Sequence, residues 1–249
     1  MKKLMLALVA ISLLFSCKFV SVRGSEPGTT VIEASGDNLT KTFDVKDFNS
    51  VEVACALDIE YVQSSTPLFE VTGPSNLIQF LDVVQDGQNL RVKMGRDKVS
   101  LRGIKSFKAR VSSSSLENIE IKGAGDFKCN SLDTPTLRVS VAGAGDLILD
   151  KLSTKDARIV INGAGDLSMN GVKCSSLNIT VNGAGDLDVH DLACSGAVRA
   201  AIHGAGEVAL SGEAGTAELS VSGVGSIDAK HLNCSDISTS MNGVGKIVR

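Results

Sequence analysis

Five acidic residues recur at one position of a repeating pattern: Asp126, Asp146, Asp166, Asp186 and Glu207. Each stands three residues after a glycine that begins a Gly-x-Gly tripeptide. If successive repeats stack, these carboxylates fall about 5 Å apart, the spacing of neighbouring strands. Like charges that close repel, and a divalent cation such as Ca²⁺, held by Asp126, Asp146, Asp166 and Asp186, would relieve the repulsion. A solvated ladder of carboxylates bonded to turn amides needs no metal. The cysteines offer a second chemistry. Cys174, Cys194 and Cys234 each lie eleven residues after a motif glycine, so Cys174 and Cys194 fall in register on adjacent repeats. That placement is compatible with a disulfide, and equally with an inward stack of buried thiols. Asn162, Asn182 and Asn242 each precede a motif glycine. Their amides could bond to one another along the stack or offer a polar face to sugar hydroxyls.

Other chemistry finds little support. His190, His203 and His231 occupy different positions in their repeats, so their spacing does not converge on one metal. There is no Cys-x-x-Cys pair for zinc and no Gly-x-Ser-x-Gly nucleophile elbow. With no Trp and one Tyr, the chain has few aromatic platforms for carbohydrate processing. A formal net charge of −3 leaves no electrostatic footprint for nucleic acid. We therefore expect no catalytic residues and no cofactor.

The elements that position these residues follow from the period. Gly-x-Gly begins at Gly123, Gly143, Gly163, Gly183, Gly204, Gly223 and Gly243, at intervals of 20, 20, 20, 21, 19 and 20 residues. Such a period marks a repeat architecture. Apolar residues stand two residues before each first glycine and, at most levels, four before it, as in Ile161 and Ile159, with others four and mostly six after it, as in Leu167 and Met169. Spacing by two within a run means a strand with one buried face. Recurrence every twenty means the same column is filled at each level. A β-solenoid satisfies both, with coils about 4.8 Å apart and glycine at sharp corners, for positive φ or for close approach. A leucine-rich repeat would need its own asparagine signature and helical segments, and neither is present.

The rest of the chain divides around this body. Lys2 and Lys3 precede an apolar run from Leu4 to Phe15, the pattern of an export leader. Leu14-Phe15-Ser16-Cys17 resembles a bacterial lipobox, which implies lipidation at Cys17 and attachment to a membrane. Residues 18–38 read as a flexible tether. From 39 to about 116 the strand signals are less regular, with turns at Gly73-Pro74 and Asp86-Gly87 and a short helical turn expected within Ser75–Val84. Ser112–Ser115 reads as a polar loop. Val51 to Ile59 looks like a worn copy of Ile119 to Phe127, with Cys55 in place of the first glycine. The chain ends half a coil past the last motif. This leaves an edge that Lys246 and Arg249 would protect or a second copy would pair with.

The opening Phe43-Asp44-Val45…Phe48…Val51-Glu52-Val53, the Asp58-Ile59 pair, the Gly87…Leu90 segment and the Gly-Ala-Gly-Asp series together resemble the head GIN domain of putative autotransporter adhesins. The resemblance runs from about residue 40 to the C-terminus. It implies an all-β, right-handed, single-stranded parallel β-helix in an envelope-located protein, with no family catalytic motif to carry over. The reading is of a non-catalytic lipoprotein on the outer membrane or cell surface, presenting repeated faces to a glycan or a surface protein. The alternatives are a polysaccharide lyase or hydrolase on a β-helix, and a purely structural envelope spacer.

Overall fold

The computed structural model describes residues 30–96 and 99–249. The leader, Cys17 and the first part of the tether lie outside the described residues. The body is an all-β solenoid of about seven turns with an irregular N-terminal part. Among the described residues, one hydrophobic core and a nearly continuous hydrogen-bond ladder run through this body.

Alternation of apolar and polar residues builds three strand faces. On the first, Asn118–Ile121, Thr136–Val141, Asp156–Ile161 and Ser176–Val181 stack parallel and in register. On the second, Phe127–Cys129, Leu147–Asp150 and Leu167–Asn170 do the same. The third is narrower and holds Leu132–Asp133, Leu152–Ser153 and Lys173–Cys174. In the next coils the strands run on around the corners as Leu187–Ile202, Glu207–Val221 and Ser226–Met241. The expected columns are the inward ones: Ile161, Val181 and Ile202 lie directly in register, and all are fully buried. The third face adds a column not assigned from sequence, Leu132, Leu152, Val172 and Leu192. Its strands are too short to show alternation.

The Gly-x-Gly corners are set by close approach. Neither glycine of a motif has positive φ. Instead the Gly143 carbonyl points along the solenoid axis and accepts the Ala164 N–H at 3.0 Å. A Cβ on Gly163 would overlap that same oxygen, and the relation repeats up the column. At the lowest corner Cys55 and Leu57 stand beneath Gly123 and Gly125, so only the upper member of that pair must lack a side chain. Positive φ occurs at a different corner, between the second and third faces: Lys151 (52°), Gly171 (59°) and Asp191 (51°). Two of these three carry side chains, so glycine content does not reveal this corner.

The N-terminal part departs from a simple stack. Ser50–Ala54 and Asp58–Gln63 form the coil beneath Asn118–Cys129, pairing Val51 with Ile119 and Ile59 with Phe127. The worn copy is thus a structural coil. Beneath it, however, lie Asn89–Met94 and Lys108–Ser113, which follow it in sequence. The outermost layer is antiparallel, against the expectation of parallel pairing throughout. Leu81–Asp86 folds back on Asn89–Met94, Leu68–Pro74 pairs with Lys108–Ser113, and Asn38–Phe43 pairs with Leu68–Pro74. Tight turns such as that at Gly87, with φ of 57°, permit this reversal. The helix is a single turn, Ser75–Ile78. Thr30–Glu33, read as tether, is a strand paired with Val99–Arg102. Ser113, read as loop, is buried and its hydroxyl meets that of Tyr61 at 2.9 Å.

Gly163→Ala is expected to cost about 3 kcal/mol or more, because overpacking and loss of an axial hydrogen bond coincide. Gly87→Ala, in open space but at positive φ, should cost about 1–2 kcal/mol. Urea denaturation of both variants checks the order; equal losses would contradict the close-approach account.

Candidate functional site

The acidic column is a hydrogen-bonded ladder. After the second motif glycine the chain turns into the second face, and the backbone N–H of the next residue points along the axis. The Asp126 N–H donates to Asp58 Oδ1 at 3.2 Å, Asp146 to Asp126 at 3.0 Å, Asp166 to Asp146 at 3.0 Å, Asp186 to Asp166 at 2.9 Å and Glu207 to Asp186 at 2.8 Å. One oxygen of each aspartate therefore serves the coil above it, not its own turn. Where the residue one coil below is not aspartate, as for Ser226 above Glu207 and Lys246 above Ser226, the N–H reaches a backbone carbonyl at 3.3 and 3.2 Å instead. Asp58 forms the foot of this ladder. Its place in the worn copy was the signal for it. Among the described residues, no group of three or more His, Cys, Asp or Glu side chains is arranged to hold a metal ion.

The cysteine column is a column of corner donors. Cys174 and Cys194 are in register, as are Cys194 with Ala214 and Ala214 with Cys234. All are free thiols. The levels below carry Thr134 and Thr154, eleven residues after Gly123 and Gly143. The Thr134 hydroxyl donates to the Thr136 carbonyl at 3.2 Å and Thr154 to Asp156 at 3.3 Å. The Cys234 thiol donates to the Asp236 carbonyl at 3.5 Å. In the coil that is one residue longer, Cys194 reaches Ala197 at 3.7 Å. Thr134, Thr154, Cys194 and Cys234 thus do one job, each bonding a carbonyl two or three residues further along its own turn. Burial pushes the Cys55 thiol up to about 12 and Cys129 to about 11. Burial, with Cys194 alongside, raises Cys174 as well.

The asparagine column makes one direct rung, Asn182 Nδ2 to Asn162 Oδ1 at 2.8 Å. His203 continues the same column and its Nδ1 meets the Ser222 hydroxyl at 2.6 Å. A register shift brings the other histidines nearer than their spacing implied: His190 Nδ1 lies 3.3 Å from Ser211 Oγ, and Ser211 pairs with His231. Asn242 and these histidines are exposed. On the first face, Glu52 sits between Arg91 (3.2 Å) and Lys122 (3.1 Å). Burial pushes its carboxyl up, but hydrogen bonds from the two cations outweigh this and hold it below the ordinary range. A small groove of about 210 Å³ gathers Asp58, Asp126 and Asp146 with Lys108 and Lys128. Each of these aspartates already bonds a backbone amide in the ladder.

A larger cavity, of about 650 Å³, opens where the glycine column ends beneath Cys55. Sequence reasoning missed it, because it arises from the out-of-order layer below. No helix among the described residues is long and apolar enough to cross a membrane.

A stack of near-identical coils, with its aspartate column bonded from level to level, defines a β-solenoid repeat protein. Residues 47–197 and 195–248 match the family described as putative auto-transporter adhesin, head GIN domain, and the chain belongs to that family. Solved structures similar to it include a putative adhesin from Bacteroides fragilis, at 26% identity and a TM-score of 0.77, covering 87% of this chain and 98% of that one. A putative lipid binding protein from Parabacteroides distasonis matches at 23% identity with a TM-score of 0.73, covering 88% and 98%. A further putative adhesin from that organism matches at 16% with a TM-score of 0.60, covering 88% and 99%. The last two likenesses carry the fold alone. No curated protein matches the chain.

Two measurements check this chemistry. Asp146→Ala should cost about 1–2 kcal/mol by orphaning the Asp166 amide, whereas Asp146→Asn, which keeps an acceptor, should cost less than half as much. Equal losses in urea melts would argue against the ladder. Second, the buried thiols ionise less readily folded than unfolded. The stability they contribute is therefore present below pH about 9 and lost as pH rises through the raised values of about 11 and 12. The urea midpoint should fall steadily above pH 9; a midpoint flat to pH 11 would refute this.

Proposed function

We propose that the protein is a non-catalytic binding scaffold of the cell envelope, exported and anchored through a lipid on Cys17. Its solenoid faces would engage a glycan or a surface protein. Membership of an adhesin family supports this reading. The observation that carries it is regularity: coils of 19 to 21 residues repeat the same outward columns level after level. Arg138, Arg158, Asn178 and Arg199 form one such column on the first face. Identical contacts at a fixed rise suit weak, repeated engagement of an extended partner, where avidity multiplies modest affinities about 10²–10⁴-fold.

A glycan and matrix-protein array probed with residues 18–249, as monomer and as a streptavidin-clustered tetramer, tests the proposal. Clustering should raise apparent affinity for a subset of ligands by about two orders of magnitude. Protease shaving of intact cells should remove the domain. Release of oligosaccharides from a polysaccharide panel, without retention on the array, would overturn the proposal in favour of an enzyme.

A further inference from the structure

The cavity beneath the glycine column is a product of the stacking order. Every corner from Gly143 upward rests on an identical corner one coil down, and the Gly123 corner rests on Cys55 to Leu57. Beneath Cys55 the repeat stops. The strand below ends at Met94, and Val99–Arg102 pairs not with the coil above but with Thr30–Glu33. Antiparallel strands cover the first and second faces at this end, but among the described residues nothing of the corner's shape lies under it. A void of about 650 Å³ remains, within the range of about 300–1,000 Å³ for small-molecule pockets.

Its walls are apolar: Cys55, Ala56, Met94, Val99 and Leu101. Cys55 belongs to the buried core and its thiol is protonated at neutral pH, because burial raises it to about 12, so it adds no charge. Two exposed cations, Lys93 and Arg96, stand at the opening. Neither is tightly held. Lys93 lies 3.8 Å from Asp82 with both side chains over 40% exposed, a pair of little energetic weight. Arg96 lies over the Phe80 ring at 4.9 Å, and among the described residues it makes no ion pair.

We infer that this cavity binds a single-chain amphiphile with an anionic head, the chain lying against Met94, Val99 and Leu101 and the head between Lys93 and Arg96. The site is independent of the outward columns invoked for adhesion, so either can fail without the other.

The test is fluorescence titration of residues 18–249 with dansylamino-undecanoate, followed by displacement with dodecanoate, lysophosphatidylglycerol or dodecyltrimethylammonium. One probe should bind per chain. Either anion should displace it, the tighter identifying the natural source, while the cation should compete at least about tenfold more weakly. Ala56→Trp, which fills the cavity, should weaken the probe at least about tenfold. Lys93→Glu with Arg96→Glu changes only exposed side chains. It should weaken both anions while leaving the melting temperature in place, and so keeps the test decisive if Ala56→Trp fails to fold. Absence of saturation, equal displacement by anion and cation, or unchanged affinity in the folded rim variant would overturn the inference.

Discussion

A carbonyl oxygen beneath every corner is the constraint on which this solenoid depends. The Gly143 oxygen, and its counterpart at each level, points up the axis to an amide of the coil above. It occupies the place where a side chain of that coil would begin. Glycine is required there by the neighbour's backbone and not by its own torsion angles. The same oxygen fixes the rise and the register, and so lays each aliphatic side chain over its counterpart. A one-residue slip would turn the buried columns outward and set an alanine where a glycine must stand.

Turns are the costly part of such a fold, because a corner breaks the ladder and leaves backbone groups to be paired. Each corner here is answered differently. Aspartate bonds the amide at the end of the glycine corner, hydroxyl or thiol bonds the carbonyl after the third face, and left-handed residues turn the chain between the second and third faces. The residues that looked most like chemistry are therefore occupied in the fold itself: the acidic column bonds coil to coil, and the cysteine column bonds carbonyls of its own turns. What remains for partners is the outward face of the strands and the unfilled end.

The regular coils were legible because one physical environment recurs. Ile161, Val181 and Ile202 meet the same neighbours, so composition repeats with the geometry. The carboxylate column was visible too, but the choice of bond was not. Spacing places Asp146 above Asp126 without saying that an amide from one coil meets an oxygen from the next. Threonines 134 and 154 held the same offset as the cysteines, a signal that attention to cysteine alone obscured. The antiparallel layer was hidden for a different reason. Leu81–Asp86 and Leu68–Pro74 alternate like any strand, and alternation records burial on one side without recording direction. The cavity follows from that hidden layer, and no local pattern announces it.

The order of the lower layers has a consequence for how the chain is made and pulled. Ser50–Gln63 emerges before either of its neighbours, Asn89–Ser113 below and Asn118–Cys129 above. This coil cannot settle until the strands on both its edges, Asn89–Met94 and Lys108–Ser113 below and Asn118–Cys129 above, are available to pair with it. Its assembly is therefore late and long-range, the kind of contact that slows folding. Once closed, the coil is gripped on both edges. Tension applied at the N-terminal end of the described residues meets Thr30–Glu33 and Asn38–Phe43 first, ahead of the coil paired on both edges.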